Sequence, residues 1–308
     1  MAITTNTVND YQGLGRALRI TDGKVELLVT LDVGPRVIHC SLAGGENLFW
    51  VNKNHIMEVP GLDEAFHKGA TYAPMGGHRL WSSPEHPLHS YFPDTDPVAV
   101  EALPNGVTLT PPPRPITGEQ HRMQVTIDEN SEITVTCSIT NAGSGDLTLA
   151  PWCVTQMASG GVEIIPHSKR ETGLLPDRRL SVWPYTDMGD PRLCWGDDYV
   201  TLAPDCAVSR ALKIGMHNRD AWALYLTGHT AFLKRFDVAD DGVYPDGGAS
   251  YETYCNEHFM EMESLGQLVT LAPGQTASHT ERWTLTKCAR KPDHMDMAAV
   301  ADAVAALL

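Results

Sequence analysis

The chain has 308 residues, and its 23 Lys and Arg against 38 Asp and Glu give a formal charge of −15 at pH 7. A charge of this sign opposes binding to nucleic-acid phosphates and to anionic membrane surfaces, so neither is an expected partner. The start of the chain lacks a basic segment followed by an apolar run, and no apolar stretch is long enough to span a bilayer. These features predict a soluble, cytoplasmic protein.

Short segments in which apolar and polar residues alternate recur along the chain. Such alternation is typical of half-buried strands, and it occurs at residues 25–31, 124–127, 132–139, 146–154, 221–226, 231–236 and 280–285. Turn-forming pairs such as Asn105-Gly106 and Pro273-Gly274 separate the segments. The pattern predicts an all-β protein with a large antiparallel sandwich, formed as a single domain over residues 1–308.

Three other stretches depart from this pattern. Residues 295–308 are rich in Ala, Val and Leu and predict a C-terminal helix with Asp296 as its N-cap. Residues 73–97 and 166–191 are rich in Pro, His and aromatic residues and predict long loops, which are often functional in compact domains.

The seven Cys include no Cys-x-x-Cys pair and are expected to be mostly reduced, buried thiols.

The first candidate site is the segment Met75-Gly-Gly-His-Arg-Leu-Trp-Ser-Ser-Pro-Glu-His86. His78 could exchange a proton near neutral pH, Arg79 could bind oxygen atoms, and Trp81 offers a flat face for sugar C–H groups. A Gly pair before them would let the backbone approach a ligand. A rigid surface loop with a core Trp and solvated charges would have the same sequence, so the segment alone does not decide between the two.

The second candidate site is a pair of carboxylates near the end of the chain. In a strand, Glu261 and Glu263 would share one face, and Met260 and Met262 would occupy the other. If the pair is buried, desolvation and mutual repulsion would raise a carboxyl pKa and suit it to be a catalytic base. Because the opposite face carries two Met residues, alternation alone favours a pair that faces solvent.

A metal centre and a nucleotide site are less well supported. Glu257, His258, Glu261 and Glu263 are potential metal ligands, but their spacing matches no metal motif. The chain also lacks a Gly-x-Ser-x-Gly elbow, a P-loop and a Gly-x-Gly-x-x-Gly segment, which argues against serine hydrolases, nucleotide hydrolases and dinucleotide enzymes. No metal and no organic cofactor are therefore expected.

Isolated cationic residues are further candidates for ligand contacts. Lys234 and Arg235 would point to opposite faces of a strand, so one of them could enter a cleft and bind an oxygen-rich ligand. Arg36 follows a tight turn and could do the same. The loop after the Lys234 strand contains Tyr244-Pro-Asp-Gly-Gly248, in which Asp246 could also reach a ligand.

These segments together resemble the galactose mutarotase-like, or aldose 1-epimerase-like, superfamily, and within it a bacterial branch that has a Gly-Gly-His-Arg-Leu-Trp segment. The likeness spans residues 25–37, 47–50, 76–85, 149–152, 259–266, 271–274 and 281–283. The end of the chain carries it best. In mutarotases a late strand bears the catalytic Glu, and a Leu-x-Pro-Gly turn then leads into a final strand, which is the order found here over residues 261–285.

The resemblance implies a β-sandwich whose concave face holds a monosaccharide, and an isomerase that interconverts sugar anomers. In such enzymes a Glu removes the proton of the anomeric hydroxyl while a His protonates the ring oxygen. By position, Glu263 is the preferred base, Glu261 its neighbour or substitute, and His78 the acid or a hydroxyl contact. The family's other acid His has Trp152 in its place.

The expected partner is thus a small-molecule carbohydrate. The residues expected to contact it are Arg79, Trp81, Arg36, Trp152, Lys234, His258 and Asp246. Two alternatives remain open. A non-catalytic carbohydrate-binding protein on the same fold is favoured by the missing second His, and a metal-assisted lyase or isomerase could act on an acidic sugar.

Overall fold

The computed structural model describes residues 3–52 and 54–308, and these contain 21 strands and three short helices. The strands form one sheet of eleven and one of ten strands. All neighbouring strands pair antiparallel. The predicted all-β sandwich is therefore confirmed.

The sheet of eleven strands is called the first sheet here. It contains β1 (Thr4–Val8), β2 (Ala17–Thr21), β3 (Val25–Thr30), β4 (Val37–Leu42), β5 (Gly77–Ser83), β10 (Leu147–Met157), β12 (Leu180–Val182), β15 (Leu212–Met216), β18 (Tyr251–Cys255), β19 (Met260–Leu265) and β20 (Val269–Leu271). Its order is β1-β2-β3-β4-β5-β10-β19-β18-β15-β12, and β20 pairs with β10.

The strands of the second sheet are β6 (Ala99–Leu103), β7 (Gly106–Thr110), β8 (Glu119–Ile127), β9 (Ile133–Asn141), β11 (Val162–Pro166), β13 (Leu193–Trp195), β14 (Tyr199–Leu202), β16 (Trp222–Leu226), β17 (Thr230–Phe236) and β21 (Thr276–Lys287). Their order is β13-β14-β11-β16-β17-β21-β9-β8-β7-β6. The helices are α1 (Leu62–Ala65), α2 (Pro87–Ser90) and α3 (Met297–Ala305). Both sheets therefore contain strands from both halves of the chain.

The main core lies between the two sheets, where most strands contribute alternate side chains. In β8 and β9 the other face is only partly buried, so their sequences alternate clearly. The central strands β5 and β19 differ, because every one of their residues is buried. A smaller apolar cluster that includes Leu62, Tyr72, Trp81 and Trp152 covers their other face. This second layer creates the space for a site.

Each of the seven alternating segments coincides with a strand and extends at most one residue beyond it, whereas one predicted loop is wrong. Residues 77–83 form the buried strand β5. Because this strand is covered on both faces, its sequence has no alternation to reveal it. In the second predicted loop, residues 180–182 form the short edge strand β12.

The C-terminal helix and the cysteine chemistry follow the predictions. The side chain of Asp296 accepts hydrogen bonds from the backbone N–H groups of Ala298 and Ala299, as an N-cap does. All seven Cys are free, and four of them are buried. Among the described residues no helix is long and apolar enough to cross a bilayer, and the cytoplasmic location stays a prediction.

Candidate functional site

A cavity of about 280 Å³ lies on the face of the first sheet that is turned away from the second sheet. Its strand residues are Trp81 of β5, Trp152 and Gln156 of β10, Lys213 of β15, Tyr254 of β18 and Glu261 of β19. Loops close the remaining sides with Met57, Glu58, Val59, Pro60, Tyr72, Pro74, Glu85, Tyr91, Trp183, Tyr185, Ala211 and Phe259. The cavity thus combines charged floor groups with aromatic walls.

Glu261 and Glu263 share the cavity face of β19, while Met260 and Met262 lie in the core between the sheets. The shared face is as predicted. The solvent-facing orientation that alternation favoured is wrong, because Glu261 is 8% and Glu263 0% exposed. Loops cover this face of the first sheet. Both faces of β19 are therefore buried, and its two glutamates point into the covered space and not into solvent.

The two carboxyl groups have different surroundings. Oε1 of Glu261 accepts a hydrogen bond from Nε2 of Gln156 at 2.9 Å. Oε2 of Glu263 accepts from Nε1 of Trp152 at 2.8 Å and from Nζ of Lys213 at 2.9 Å, and its Oε1 has no partner. Burial, reinforced by the nearby charge of Glu263, raises the pKa of Glu261 to about 8. Burial also raises the pKa of Glu263, although Lys213 opposes the shift. Glu261 therefore holds a proton at neutral pH more readily than a solvated Glu.

Lys213 is the cation at the centre of this group, which we call the cavity cluster (Trp152, Lys213, Glu252, Glu261 and Glu263). Its Nζ lies 2.8 Å from Oε2 of Glu252 and 2.9 Å from Oε2 of Glu263. Burial alone would lower the pKa of Lys213, but the two carboxylates outweigh it and the pKa is raised. Lys213 thus remains charged and is poorly suited to act as a nucleophilic amine.

Aromatic rings line the cavity on several sides. The rings of Trp81 and Trp152 meet edge to face with their centroids 5.1 Å apart. Nζ of Lys213 lies 4.4 Å from the ring centroid of Trp152 and 4.8 Å from that of Trp183. These rings offer apolar faces between polar groups, which is the mixture that binds the C–H faces and hydroxyls of a sugar.

His78 lies on the opposite face of β5 and does not reach the cavity. It is completely buried between the sheets, where Nδ1 makes a 2.8 Å hydrogen bond with Oγ1 of Thr155 and the ring packs against Trp283. Burial lowers the pKa of His78 to about 3, so its imidazole is neutral. The expected convergence of His78 with Glu261 and Glu263 in one hollow is therefore absent, because neighbouring residues of a strand point to opposite faces.

Lys234 also lies between the sheets. Its Nζ donates to Oγ1 of Thr155 at 2.6 Å and to Oε1 of Glu281 at 2.9 Å, while Oγ of Ser264 donates to the same carboxylate oxygen at 2.6 Å. We call His78, Thr155, Lys234, Ser264 and Glu281 the intersheet cluster. Lys234 and Arg235 do point to opposite faces, as predicted, but the buried one enters the core and not a cleft.

Arg36 and Arg79 serve the framework of the site. The Nη2 atom of each lies 3.0 Å from Oδ2 of Asp94, in the loop that follows α2. Neither lines the cavity, although the guanidinium of Arg79 lies 4.6 Å from the ring centroid of Trp81, which does. Their positions correct the expectation that both would contact the carbohydrate directly.

The Gly pair before His78 allows close packing of backbone. Gly76 and Gly77 have φ values of 95° and 70°, in the left-handed region. A Cβ would lie 2.2 Å from the carbonyl oxygen of Trp50 at Gly76, and 2.3 Å from that of Val37 at Gly77. The close approach is thus to the backbone of Trp50 and of β4, and not to a ligand.

His258 and Asp246 also lie away from the cavity lining. The side chain of His258 is 37% exposed and its ring centroid is 4.1 Å from that of His55. Oδ2 of Asp246 accepts a 3.3 Å hydrogen bond from Oγ of Ser83, and its backbone oxygen accepts from Oγ of Ser181. Of the predicted carbohydrate contacts, the cavity brings together Trp81 and Trp152.

The comparisons with known proteins agree on the fold. The chain matches no protein-family model and none of the curated proteins. Among solved structures it is similar to a galactose mutarotase-like protein from Clostridium acetobutylicum, at 10% identity over 93% of this chain and 99% of that one, with a TM-score of 0.54. A galactose mutarotase-like protein from Lactobacillus casei has 12% identity over 88% and 100%, with a TM-score of 0.52. A candidate aldose 1-epimerase from Escherichia coli K12 has 12% identity over 92% and 99%, with a TM-score of 0.53.

This chain has the galactose mutarotase-like fold. The sequence resemblance to that superfamily is therefore confirmed at the level of the fold. Within this mutarotase-like sandwich, Trp152 stands where the resemblance leads one to expect an acid His, and its indole N–H is directed at Glu263. None of the described residues that line the cavity is a His.

Sequence reasoning missed several residues at or beside this cavity, namely Gln156, Trp183, Tyr185, Lys213 and Glu252. Trp183 and Tyr185 lie in the aromatic-rich stretch of residues 166–191, whose predicted functional character was the available signal. Lys213 stands alone between Leu212 and Ile214. A single charge on an alternating strand normally faces water, so nothing in the local sequence set it apart.

The acidic residues near the end of the chain do not gather into a metal-sized group. Among the described residues, only His78, Cys137 and Cys153 place three ligand atoms within 4.8 Å of one another. All three are buried in the intersheet core. Burial raises the pKa of the Cys153 thiol, and Lys234 of the intersheet cluster lies near it. These features are consistent with neutral thiols packed as small apolar side chains.

Proposed function

We propose that the cavity binds a neutral monosaccharide and interconverts its anomers, as an aldose 1-epimerase does. The observation that carries the proposal is the buried carboxyl of Glu261, which lines an aromatic-walled cavity and has a raised pKa. A cavity of about 280 Å³ is at the lower end of the range for ligand pockets, which suits one sugar ring. The similarity in fold to the candidate aldose 1-epimerase from E. coli K12 also supports the proposal.

The charges around the cavity favour a neutral sugar over an acidic one. Lys213 is the only cation among the described lining residues, and it is already flanked by the carboxylates of Glu252 and Glu263. Glu58 and Glu85 add further negative charge at the lining. A uronate or a sugar phosphate would meet this excess of carboxylates at low dielectric, so we infer that both bind poorly.

Glu261 is the group that we assign to proton transfer. A protonated carboxyl offers an O–H donor and a carbonyl acceptor on adjacent oxygen atoms. It can therefore give its proton to the ring oxygen while its other oxygen takes the proton of the anomeric hydroxyl. The bond between the anomeric carbon and the ring oxygen breaks, and an open aldehyde forms. Rotation about the bond to the anomeric carbon and reversal of the two proton transfers produce the other anomer, and Glu261 ends as it began.

Glu263, the base preferred from the sequence, becomes a positioning residue in this proposal. It does not line the cavity, and its Oε2 is occupied by Trp152 and Lys213. Its negative charge contributes to the raised pKa of Glu261. Glu263 thereby helps to keep a proton on Glu261, and Lys213 limits how far this effect goes.

The decisive experiment measures anomer interconversion of freshly dissolved neutral aldoses by polarimetry or by exchange NMR. We expect Glu261→Gln to lose about 10²-fold or more of the enzyme-dependent rate, as is typical when an acid–base group is removed. The matched control is Glu257→Gln, because Glu257 is 36% exposed and does not line the cavity. A folded Glu261→Gln protein with an unchanged rate would refute the assignment.

A second candidate function is non-catalytic binding of the same class of sugar. It is favoured by the lack of a His among the described lining residues, since the related enzymes are expected to use one. Calorimetry on the same panel of aldoses distinguishes the two functions. Sugars that bind without any acceleration of their interconversion would support the second candidate and contradict the first.

A further inference from the structure

A second cavity, of about 270 Å³, lies on the other side of β15 from the sugar cavity. Met216 of β15 lines this cavity, whereas Lys213 of the same strand lines the first one. Residues at an odd separation in a strand point to opposite faces, so the sheet itself separates the two spaces. Pro166 at the end of β11 and Trp195 of β13 bring the second sheet into the lining. The cavity is therefore at an end of the sandwich, between the sheets.

Two adjacent arginines line this cavity without carboxylate partners. Among the described residues neither Arg178 nor Arg179 forms an ion pair, and the described side-chain hydrogen bond of Arg178 goes to the backbone oxygen of Asp197 at 2.6 Å. The lining carboxylate of Asp177 accepts from NH1 of Arg219 at 3.1 Å. The positive charge at the cavity is thus available to a ligand, in a chain whose overall charge is −15.

Two of the carboxylates near the cavity are already paired, and two others, Asp197 and Asp220, form no described ion pair but do not line the cavity. Asp198 pairs with Lys169 at 2.9 Å, and Asp240 pairs with Arg170. Neither of these aspartates lines the cavity. The described lining therefore presents two guanidinium groups that form no ion pair, while its one carboxylate, Asp177, is already paired with Arg219.

The rest of the lining offers hydrogen bonds and apolar surface. His167 and His217 both line the cavity, and burial lowers the pKa of each, so that they are neutral at pH 7. Neutral imidazoles can donate or accept a hydrogen bond. Trp195 and Leu180 leave 37% and 44% of their surfaces exposed. They form an apolar wall beside the arginines.

We propose that this cavity binds a small phosphate ester whose phosphate lies between Arg178 and Arg179 and whose ring packs on Trp195. Guanidinium groups bind phosphate oxygens through paired N–H donors, and two adjacent arginines match the charge of a phosphate dianion. The apolar wall then adds affinity for a compact ring attached to the phosphate. This site is independent of the sugar cavity and does not rest on the function proposed for it.

Isothermal titration with three probes tests the site: phenyl phosphate, inorganic phosphate and benzyl alcohol. We expect the wild-type protein to bind phenyl phosphate more tightly than inorganic phosphate, and benzyl alcohol least, with affinity that falls as salt is added. Arg178→Gln with Arg179→Gln should weaken phenyl phosphate binding by about 10-fold or more, which corresponds to about 1.4 kcal/mol. Trp195→Leu should weaken phenyl phosphate but leave inorganic phosphate unchanged.

The matched control is the double variant Arg122→Gln with Arg235→Gln, which removes two exposed arginines that also lack a described ion pair but lie outside the cavity. It should bind phenyl phosphate as the wild type does. Equal weakening in the two double variants would show only a general charge effect and overturn the proposal. So would a wild-type protein that binds phenyl phosphate no better than benzyl alcohol. Since neutral-sugar binding is measured separately, either result leaves the sugar cavity unaffected.

Discussion

Strands β10 and β19 carry buried polar side chains on both faces, and the two groups are built differently. In the intersheet cluster one ammonium, Lys234, meets one carboxylate, Glu281, and the remaining lone pairs of that carboxylate accept from Ser264 and Trp283. In the cavity cluster one ammonium, Lys213, meets two carboxylates, and Oε1 of Glu263 has no partner.

The difference separates a structural polar group from one that is suited to a ligand. A closed network that satisfies its members holds the two sheets in one arrangement and has nothing left to offer. An uneven charge balance among buried groups destabilises a fold, and such a cost is expected where the groups serve a ligand site. By this criterion the site lies on the loop-covered face of the first sheet, and His78, on the other face, belongs to the framework.

The largest expected effect is on stability, from Lys234→Met. This change leaves the completely buried carboxylate of Glu281 without its cation, and breaking a buried pair in this way costs about 3–5 kcal/mol. The free energy of unfolding from urea titration measures it. Arg235→Gln is the control, because Arg235 is the next residue of β17 and is exposed. Its substitution should change the free energy of unfolding by less than about 0.5 kcal/mol. Equal effects from the two variants would contradict the structural role of the intersheet cluster.

Lys213→Met removes the corresponding ammonium from the cavity cluster and should destabilise the protein less, by about 1–3 kcal/mol. The cavity lets water approach, and the carboxyl groups of Glu252 and Glu263 can take up protons when their cation is gone. Loss of the cation raises the pKa values of Glu252 and Glu263 in the folded protein further above their values in the unfolded chain. The stability of this variant should therefore be greatest at acid pH and decline as pH rises. Urea titrations at pH 5 and pH 8 measure the trend. A variant that is less stable than Lys234→Met would reverse the proposed distinction between the clusters.

The anomer interconversion rate should depend on the protonation of Glu261. Because its pKa is raised to about 8 and the protonated form is the proposed catalyst, kcat/KM should be constant near neutral pH and decline as pH rises through about 8. Because the pKa of Glu261 is higher in the folded chain than in the unfolded chain, proton binding to Glu261 also stabilises the fold. This stabilisation is complete below the pKa of Glu261 in the unfolded chain, and it is lost as pH rises through about 8. A pH–rate profile, together with that of Glu261→Gln, checks the assignment. A rate that increases through pH 8 would indicate that the ionised form is the active one.

The smallest expected effect is that of Trp152→Phe. Phe keeps an aromatic face at the cavity but loses the 2.8 Å hydrogen bond to Oε2 of Glu263. Because Trp152 positions Glu263 and Glu263 acts through Glu261, we expect kcat to decline by less than about 10-fold with little change in KM, and the alkaline limb of the pH profile to move. A large increase in KM with kcat and the pH profile unchanged would mean that Trp152 acts on the sugar only through stacking.

The sequence by itself determined the all-β class, and it placed Glu261 and Glu263 on one face of a strand. Both follow from a period of two, which local residue order records directly. Motif order at the end of the chain was enough to indicate the mutarotase-like fold. The segment of residues 75–86 singled out Trp81, and the resemblance singled out Trp152; these are the two predicted carbohydrate contacts that line the cavity.

Only the tertiary structure decided which face of each strand turns toward the cavity. Strands β5 and β19 are buried on both faces, so polarity could not tell the face of His78 from that of Arg79 and Trp81, or show that the glutamates point into a covered space. The partners of Glu263 come from 50 and 111 residues away in the chain, at Lys213 and Trp152. Such contacts depend on how distant strands pair and which loops cover them, and no local pattern of residues encodes that arrangement.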